Sequence, residues 1–154
     1  MKRFRIPGAV LLLAALLAQF SCKTFPDKAA LEKNQRRWRE SRISNYRMTM
    51  EIMKTGQGTP MGTAVFEVRD GKMVSGTPSA TGLQFACGTG SCERYDTVEK
   101  IFGIIEDAVR RNPDRLKVEY DEKYGYPKSL VLDFNARAID DELSVKILQF
   151  EVLQ

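Results

Sequence analysis

One amphipathic helix, with strand-like segments on both sides of it, most constrains how this chain can fold. From Thr97 to Arg111 the apolar residues recur at helical spacing and form one continuous stripe. We expect Asp96 and Glu99 to form a capping box at the start of this helix. The helix is expected to end in the segment 110–113, Arg-Arg-Asn-Pro. The stripe consists of Val98, Ile101, Phe102, Ile105, Ala108 and Val109. We predict that it covers a sheet; the alternative is that it receives a partner's helix.

Five segments alternate apolar and polar residues with the period of a β-strand, two before this helix and three after it, and a further strand before the helix is expected as the return of a hairpin. Asp70-Gly71 is a strong signal for a tight hairpin between the second segment and this further strand. After Ile147 the apolar parity shifts, which predicts a bulge in the last strand. The apolar positions are Tyr46, Met48, Met50 and Ile52; Ala64, Phe66 and Val68; Met73 and Val74; Leu116, Val118 and Tyr120; Leu130, Leu132 and Phe134; Leu143, Val145 and Ile147.

A polar helix over 29–41 precedes these strands, with Leu31 and Trp38 on one face to anchor it. The order α-βββ-α-βββ predicts an α+β fold. It has an N-terminal helix, then antiparallel strands with one amphipathic helix packed on one face of the sheet.

The first 22 residues have the pattern of a secretory signal peptide. Lys2, Arg3 and Arg5 precede an apolar run over 9–17 that is too short to span a bilayer. Cys22 follows directly, in a setting that resembles the lipobox of bacterial lipoproteins. That resemblance implies a diacylated, palmitate-type anchor on Cys22; the alternatives are ordinary cleavage nearby and an uncleaved anchor.

The predicted organisation is a signal peptide over 1–21, a lipid-anchored tether over 22–28 and a single small domain over 29–154. The expected location is the cell envelope, facing the periplasm. By the sorting rule associated with bacterial lipoproteins, Lys23 after Cys22 favours the outer membrane over the inner one.

The charge of the chain argues against nucleic acid as a partner. Removing 1–21 leaves 21 Lys and Arg against 20 Asp and Glu, so the high isoelectric point arises largely from the signal segment. Basic residues are still concentrated in 23–47, which suggests either contact with anionic lipid headgroups or a solvated helix face.

Cys87 and Cys92 are separated by four residues, two of them glycines. In an oxidising envelope we expect them to form a local disulfide that pins a loop. Free thiols and a redox or metal site are the alternatives. A metal site is disfavoured because the chain has no histidine.

Several short segments, in a fixed order, resemble the bacterial lipoprotein family catalogued as domain of unknown function 6174. The resemblance spans about 34–152 and implies an exported lipoprotein of small α+β fold with no established activity. The matching segments are Trp38-Arg39, Ile43 to Tyr46, Val68 to Lys72, Tyr120-Asp121, Tyr124 to Pro127, Leu130, Asp133 and Asp140 to Glu142.

The Tyr-Gly-Tyr-Pro segment predicts first a turn, in which Gly125 takes positive φ and Pro127 begins an edge strand. Its tyrosines could instead form the lip of a peptide or ligand site. The candidate binding edge comprises Tyr120, Asp121, Tyr124, Gly125, Tyr126, Pro127 and Asp133.

An acidic group near the last strand raises a calcium hypothesis. Its members are Asp133, Asn135, Asp140, Asp141 and Glu142, but their spacing lacks the glycine of a calcium loop, and the alternative is a solvated turn. We therefore predict no metal site and no cofactor.

Without histidine the commonest general base is missing, and no nucleophile motif is present. We predict a non-enzymatic binding module with an unidentified envelope protein as its partner. The alternative is a small-ligand binder or hydrolase-like enzyme that uses the acidic, tyrosine-rich edge.

Overall fold

A computed structural model describes residues 28–54, 62–79, 93–138 and 142–154. Within these ranges two helices and six strands follow in the predicted order, which confirms the α+β class. The elements are α1 (Lys28–Ser41), β1 (Tyr46–Lys54), β2 (Gly62–Arg69), β3 (Lys72–Pro78), α2 (Val98–Arg111), β4 (Arg115–Tyr120), β5 (Pro127–Asp133) and β6 (Glu142–Val152). Neither helix is long and apolar enough to cross a membrane.

The strands form one antiparallel sheet in the order β3-β2-β1-β6-β5-β4. Each half of the chain contributes three consecutive strands. The halves meet where β1 pairs with β6, from Tyr46 opposite Val152 to Lys54 opposite Leu143. Because β1 and β6 are the two central strands, residues of both halves share one core.

One face of the sheet carries the core, as the alternation predicts. On β1 the side chains of Tyr46, Met48, Met50 and Ile52 are fully buried. The intervening residues lie on the opposite face, where Arg47 forms ion pairs with Glu67 and Glu151 of the neighbouring strands. Both helices cover this face, and the other face is largely polar, with Met53 half-exposed on it.

The last strand contains the predicted bulge. Ile147 pairs with Met50, but Gln149 pairs with Thr49, so Leu148 has no partner in the register and is 45% exposed. The extra residue returns Phe150 to the core face, where its ring stacks on that of Tyr46.

The start of α2 differs from the predicted capping box. Thr97 is the N-cap, and its side chain accepts the backbone N–H of Lys100. Asp96 forms an ion pair with the Lys100 ammonium instead. Glu99 accepts the indole N–H of Trp38 at 2.8 Å, so a carboxylate expected to cap its own helix binds α1.

Tyr46 joins β1 to the same helix start. Its hydroxyl accepts the backbone N–H of Val98 at 2.9 Å and lies 3.5 Å from the Glu99 carboxylate. Burial, and then the negative charge of Glu99, raise the pKa of Tyr46 well above its ordinary value. The neutral phenol thus satisfies one of the free N–H groups at the N-terminus of α2.

Candidate binding cleft

The predicted binding edge is first a hairpin turn between β4 and β5. The Asp121 carboxylate accepts the backbone N–H groups of Lys123 and Tyr124, and the Gly125 N–H donates to the Asp121 carbonyl. Gly125 has a φ of 81°, as predicted. The expectation that Pro127 begins an edge strand is wrong, because β5 lies between β4 and β6. Pro127 instead occupies the first position of an inner strand.

The tyrosines of this turn pack mainly into the protein. Tyr126 is 8% exposed and stacks on Phe150 with a centroid distance of 4.3 Å. Tyr120 stacks on Phe102 of α2 at 6.3 Å, and Tyr124 is half-buried. Burial raises the pKa of Tyr120 and of Tyr126 to about 12, so both phenols are neutral at physiological pH. These rings join the helices to the sheet more than they line an open lip.

Asp133 does not lie with the rest of the predicted edge. It is the last residue of β5, six positions after Pro127, or roughly 20 Å along the strand at about 3.3 Å per residue. Its carboxylate accepts the backbone N–H of Asn135. Within the described ranges, no group of three or more Asp, Glu, Cys or His residues could hold a metal ion.

The remaining predicted sites lie outside the described residues. These are the signal segment, the lipidation site Cys22, the pair Cys87 and Cys92, and Asp140 and Asp141 of the acidic group. The anchor and the disulfide stay predictions.

A concave site lies at the other end of β5, away from the tyrosine turn. It is an open cleft of about 620 Å³ between α2 and the ends of β1, β5 and β6. This volume is in the range typical of small-molecule sites. The described residues that line it are Lys54, Arg94, Tyr95, Lys100, Gly103, Ile104, Asp107, Arg111, Leu132, Phe134 and Leu143.

The cleft combines apolar and cationic surface. Ile104, Leu132 and Leu143 contribute aliphatic side chains, and Tyr95 and Phe134 contribute rings. Among the described lining residues there are four cations and one carboxylate; the cations are Lys54, Arg94, Lys100 and Arg111, and the carboxylate is Asp107. The site therefore offers a positive rim beside an apolar floor.

Lys100 and Arg111 are held in place by neighbours. Lys100 lies 2.8 Å from the carboxylate of Asp96, whose side chain is 2% exposed. The Arg111 guanidinium lies 3.8 Å from the centre of the Phe134 ring and 3.5 Å from Asp107. Such contacts restrict the side chains before any ligand arrives, which lowers the entropy cost of binding.

Sequence patterns did not reveal this cleft because its lining comes from several distant stretches of the chain. Only one wall has a local signal. Lys100, Ile104, Asp107 and Arg111 recur at three- and four-residue spacing beside the apolar stripe of α2. That signal resembles an ordinary solvated helix flank, and nothing in it shows that Lys54 and Arg94 lie opposite.

Comparison with known proteins finds a family but no individual relative. The model of a family described as Family of unknown function (DUF6174) matches residues 30–152, from the first turn of α1 to the last residue of β6. No curated protein and no solved structure matches the chain.

Proposed function

The chain belongs to the Family of unknown function (DUF6174), a membership that assigns no activity, and we propose a function from its residues and geometry. We propose that it is a lipid-anchored, non-enzymatic binding module of the cell envelope. Its cleft takes an amphiphilic anion, that is, an envelope component with a carboxylate or phosphate beside an apolar group.

The cationic rim beside an apolar floor carries this proposal. Arg94 can offer two parallel N–H donors to a carboxylate or phosphate, and Lys54 adds a point charge. Lys100 and Arg111 add further N–H donors beside the carboxylates that they already contact. The apolar floor would bury the hydrocarbon part of the same ligand at about 25 cal/mol per Å². A purely polar anion would leave the apolar floor uncovered.

The cleft is poorly equipped for acid-base catalysis, which favours a binding role. Its carboxylate, Asp107, receives hydrogen bonds from Arg110 and Arg111. The hydrogen bond from Arg110 is the main cause that holds the pKa of this carboxyl below its usual range. A carboxylate with a lowered pKa is a weak base, and the chain contains no histidine to replace it.

The proposed anchor is a diacylated Cys22 that would hold the domain at the periplasmic side of the envelope. The lipoprotein sorting rule, applied to Lys23, favours the outer membrane over the inner one. Two acyl chains bind a bilayer stably, whereas one chain binds only marginally. We expect intact-mass measurement of membrane-purified protein to show a chain that begins at Cys22 and carries added lipid. A mass without lipid, or a chain that starts elsewhere, would remove the anchor from the proposal.

The cleft is tested by titrating the protein with a single-chain amphiphile below its micelle concentration. We expect calorimetry to detect binding of dodecyl phosphate and no binding of the uncharged dodecyl maltoside. Arg94→Gln, on the exposed rim, should weaken this binding about tenfold, since a hydrogen bond to a charged group contributes roughly 1.5 kcal/mol.

Lys146→Gln is the matched control, because it removes one exposed positive charge from β6 on the helix-free face. Its affinity for dodecyl phosphate should stay unchanged. Equal losses in the two variants would show a non-specific charge effect. No binding of dodecyl phosphate would contradict the cleft proposal and return attention to an envelope protein as partner.

A further inference from the structure

The outward face of α1 is strongly basic and almost free of apolar side chains. Leu31, Asn34 and Trp38 point into the protein and are buried. The opposite, exposed arc contains Lys28, Ala29, Glu32, Lys33, Arg36, Arg39 and Glu40. Because alanine is its only apolar residue, this arc differs from membrane helices that insert a hydrophobic face, and any attraction it exerts is electrostatic.

The positive charge of the described chain is concentrated in α1 and the residue that follows it. Residues 28–42 contain six Lys and Arg against two Glu. The other described residues contain fourteen Lys and Arg against fifteen Asp and Glu. A domain with this distribution presents one basic side, which orients it toward an anionic surface.

Much of this basic charge is not neutralised by neighbouring side chains. Among the described residues, Lys33, Arg36 and Arg39 take part in no ion pair. Lys28 lies 3.8 Å from Glu32 in an exposed ion pair. Arg37 donates a hydrogen bond to the backbone carbonyl of Glu122 in the turn between β4 and β5. Three free cations within two helical turns form a compact positive patch.

The position of α1 in the chain indicates that lipid headgroups are what this patch contacts. Cys22 lies six residues before Lys28, the first residue of the helix. Six residues reach at most about 20 Å when fully extended. An anchor at Cys22 therefore keeps α1 close to the lipid headgroups. The other elements of the domain come later in the chain and are not held there by so short a segment.

We propose that the outward face of α1 docks on the anionic phospholipid headgroups of the membrane that holds the anchor. This inference rests on the lipid anchor of the proposed function. The docked pose places the helix flat on the surface and the polar, helix-free face of the sheet away from it. Salt should abolish the docking, because the screening length falls to about 3 Å at 1 M ionic strength.

The test measures how fast lysines are acetylated in the full chain, purified from membranes and reconstituted into vesicles. One set of vesicles is phosphatidylcholine, and the other also contains phosphatidylglycerol. We expect Lys33 to be protected only on the anionic vesicles and only at low salt. Lys117, exposed on the helix-free face, is the internal control and should react equally on both.

A variant pair checks that α1 causes the protection. Arg36→Gln should lower the protection of Lys33 about fivefold, the change expected for one cation near an anionic surface. Lys146→Gln, with the same charge change on the opposite face, should leave it unaltered. Equal protection in the two variants would overturn the docking face.

The vesicle arms separate docking from anchoring. Association with neutral vesicles, with Lys33 reacting equally on both lipids, overturns docking and leaves the anchor in place. Association with anionic vesicles alone, with Lys33 protected, supports docking and overturns the anchor. A chain that associates with neither overturns both.

Discussion

Trp38→Ala is expected to lower the free energy of unfolding by about 3–5 kcal/mol, the range for removing a large buried aromatic side chain. Trp38 is 4% exposed, and its ring meets those of Tyr46, Tyr126 and Phe150 edge-on at 5.6, 6.4 and 5.9 Å. Its indole N–H also donates to Glu99. One residue thus joins α1 to α2, to both central strands and to the tyrosine turn. Urea unfolding followed by circular dichroism measures the loss.

Two further variants separate packing from hydrogen bonding. Trp38→Phe keeps an aromatic ring but removes the donor to Glu99, so it should cost less than Trp38→Ala. Arg36→Ala, on the outward face of the same helix, should change stability by less than about 0.5 kcal/mol. A Trp38→Ala cost as small as that of Arg36→Ala would show that α1 does not depend on this contact.

The sequence predicted those features of the fold whose signals are local. The apolar stripe of α2 and the alternation of β1 each identify an element and the side it buries. The parity shift after Ile147 marked the bulge correctly, because a strand must return its apolar residues to the core. Leu31 and Trp38 were also identified correctly as the buried face of α1.

The sequence could not show which elements become neighbours in space. Pro127 was placed on an edge strand because its missing donor suits an edge, but the order of the sheet puts β5 inside. Glu99 fits a capping box locally, yet the indole of a residue 61 positions away takes its carboxylate. The cleft was missed for the same reason, since Lys54 and Arg94 meet α2 only in the folded chain.

The tyrosine turn illustrates how a sequence motif can serve packing. If the rings of Tyr120, Tyr124 and Tyr126 were exposed, they would indicate a recognition surface. In the fold, Tyr126 lies in the core cluster, and Asp121 holds the turn through its hydrogen bonds. The turn and the cleft lie at opposite ends of β5, so substitutions in the turn are expected to act on stability without touching the cleft.

Gly125→Ala should cost about 2–5 kcal/mol, because the new side chain meets two separate obstacles. A φ of 81° is costly for any residue with a Cβ, by roughly 1–2 kcal/mol. The added Cβ would also lie 2.6 Å from the Asn34 carbonyl oxygen and 3.0 Å from the Arg37 Cβ. The carbonyl belongs to the α1 backbone, so relief requires the helix to move away from the turn, at an overpacking cost of about 1–3 kcal/mol.

Gly71→Ala separates these two costs. Gly71 has a similar φ of 72°, but an added Cβ there meets no atom within 4 Å. Gly71→Ala should therefore lose only the free energy that positive φ costs. The loss in Gly125→Ala should be larger by the free energy needed to displace α1. Urea midpoints measured on both variants at one temperature give the difference. Equal losses would mean that α1 yields freely at Asn34, which would contradict a tight junction between the helix and the tyrosine turn.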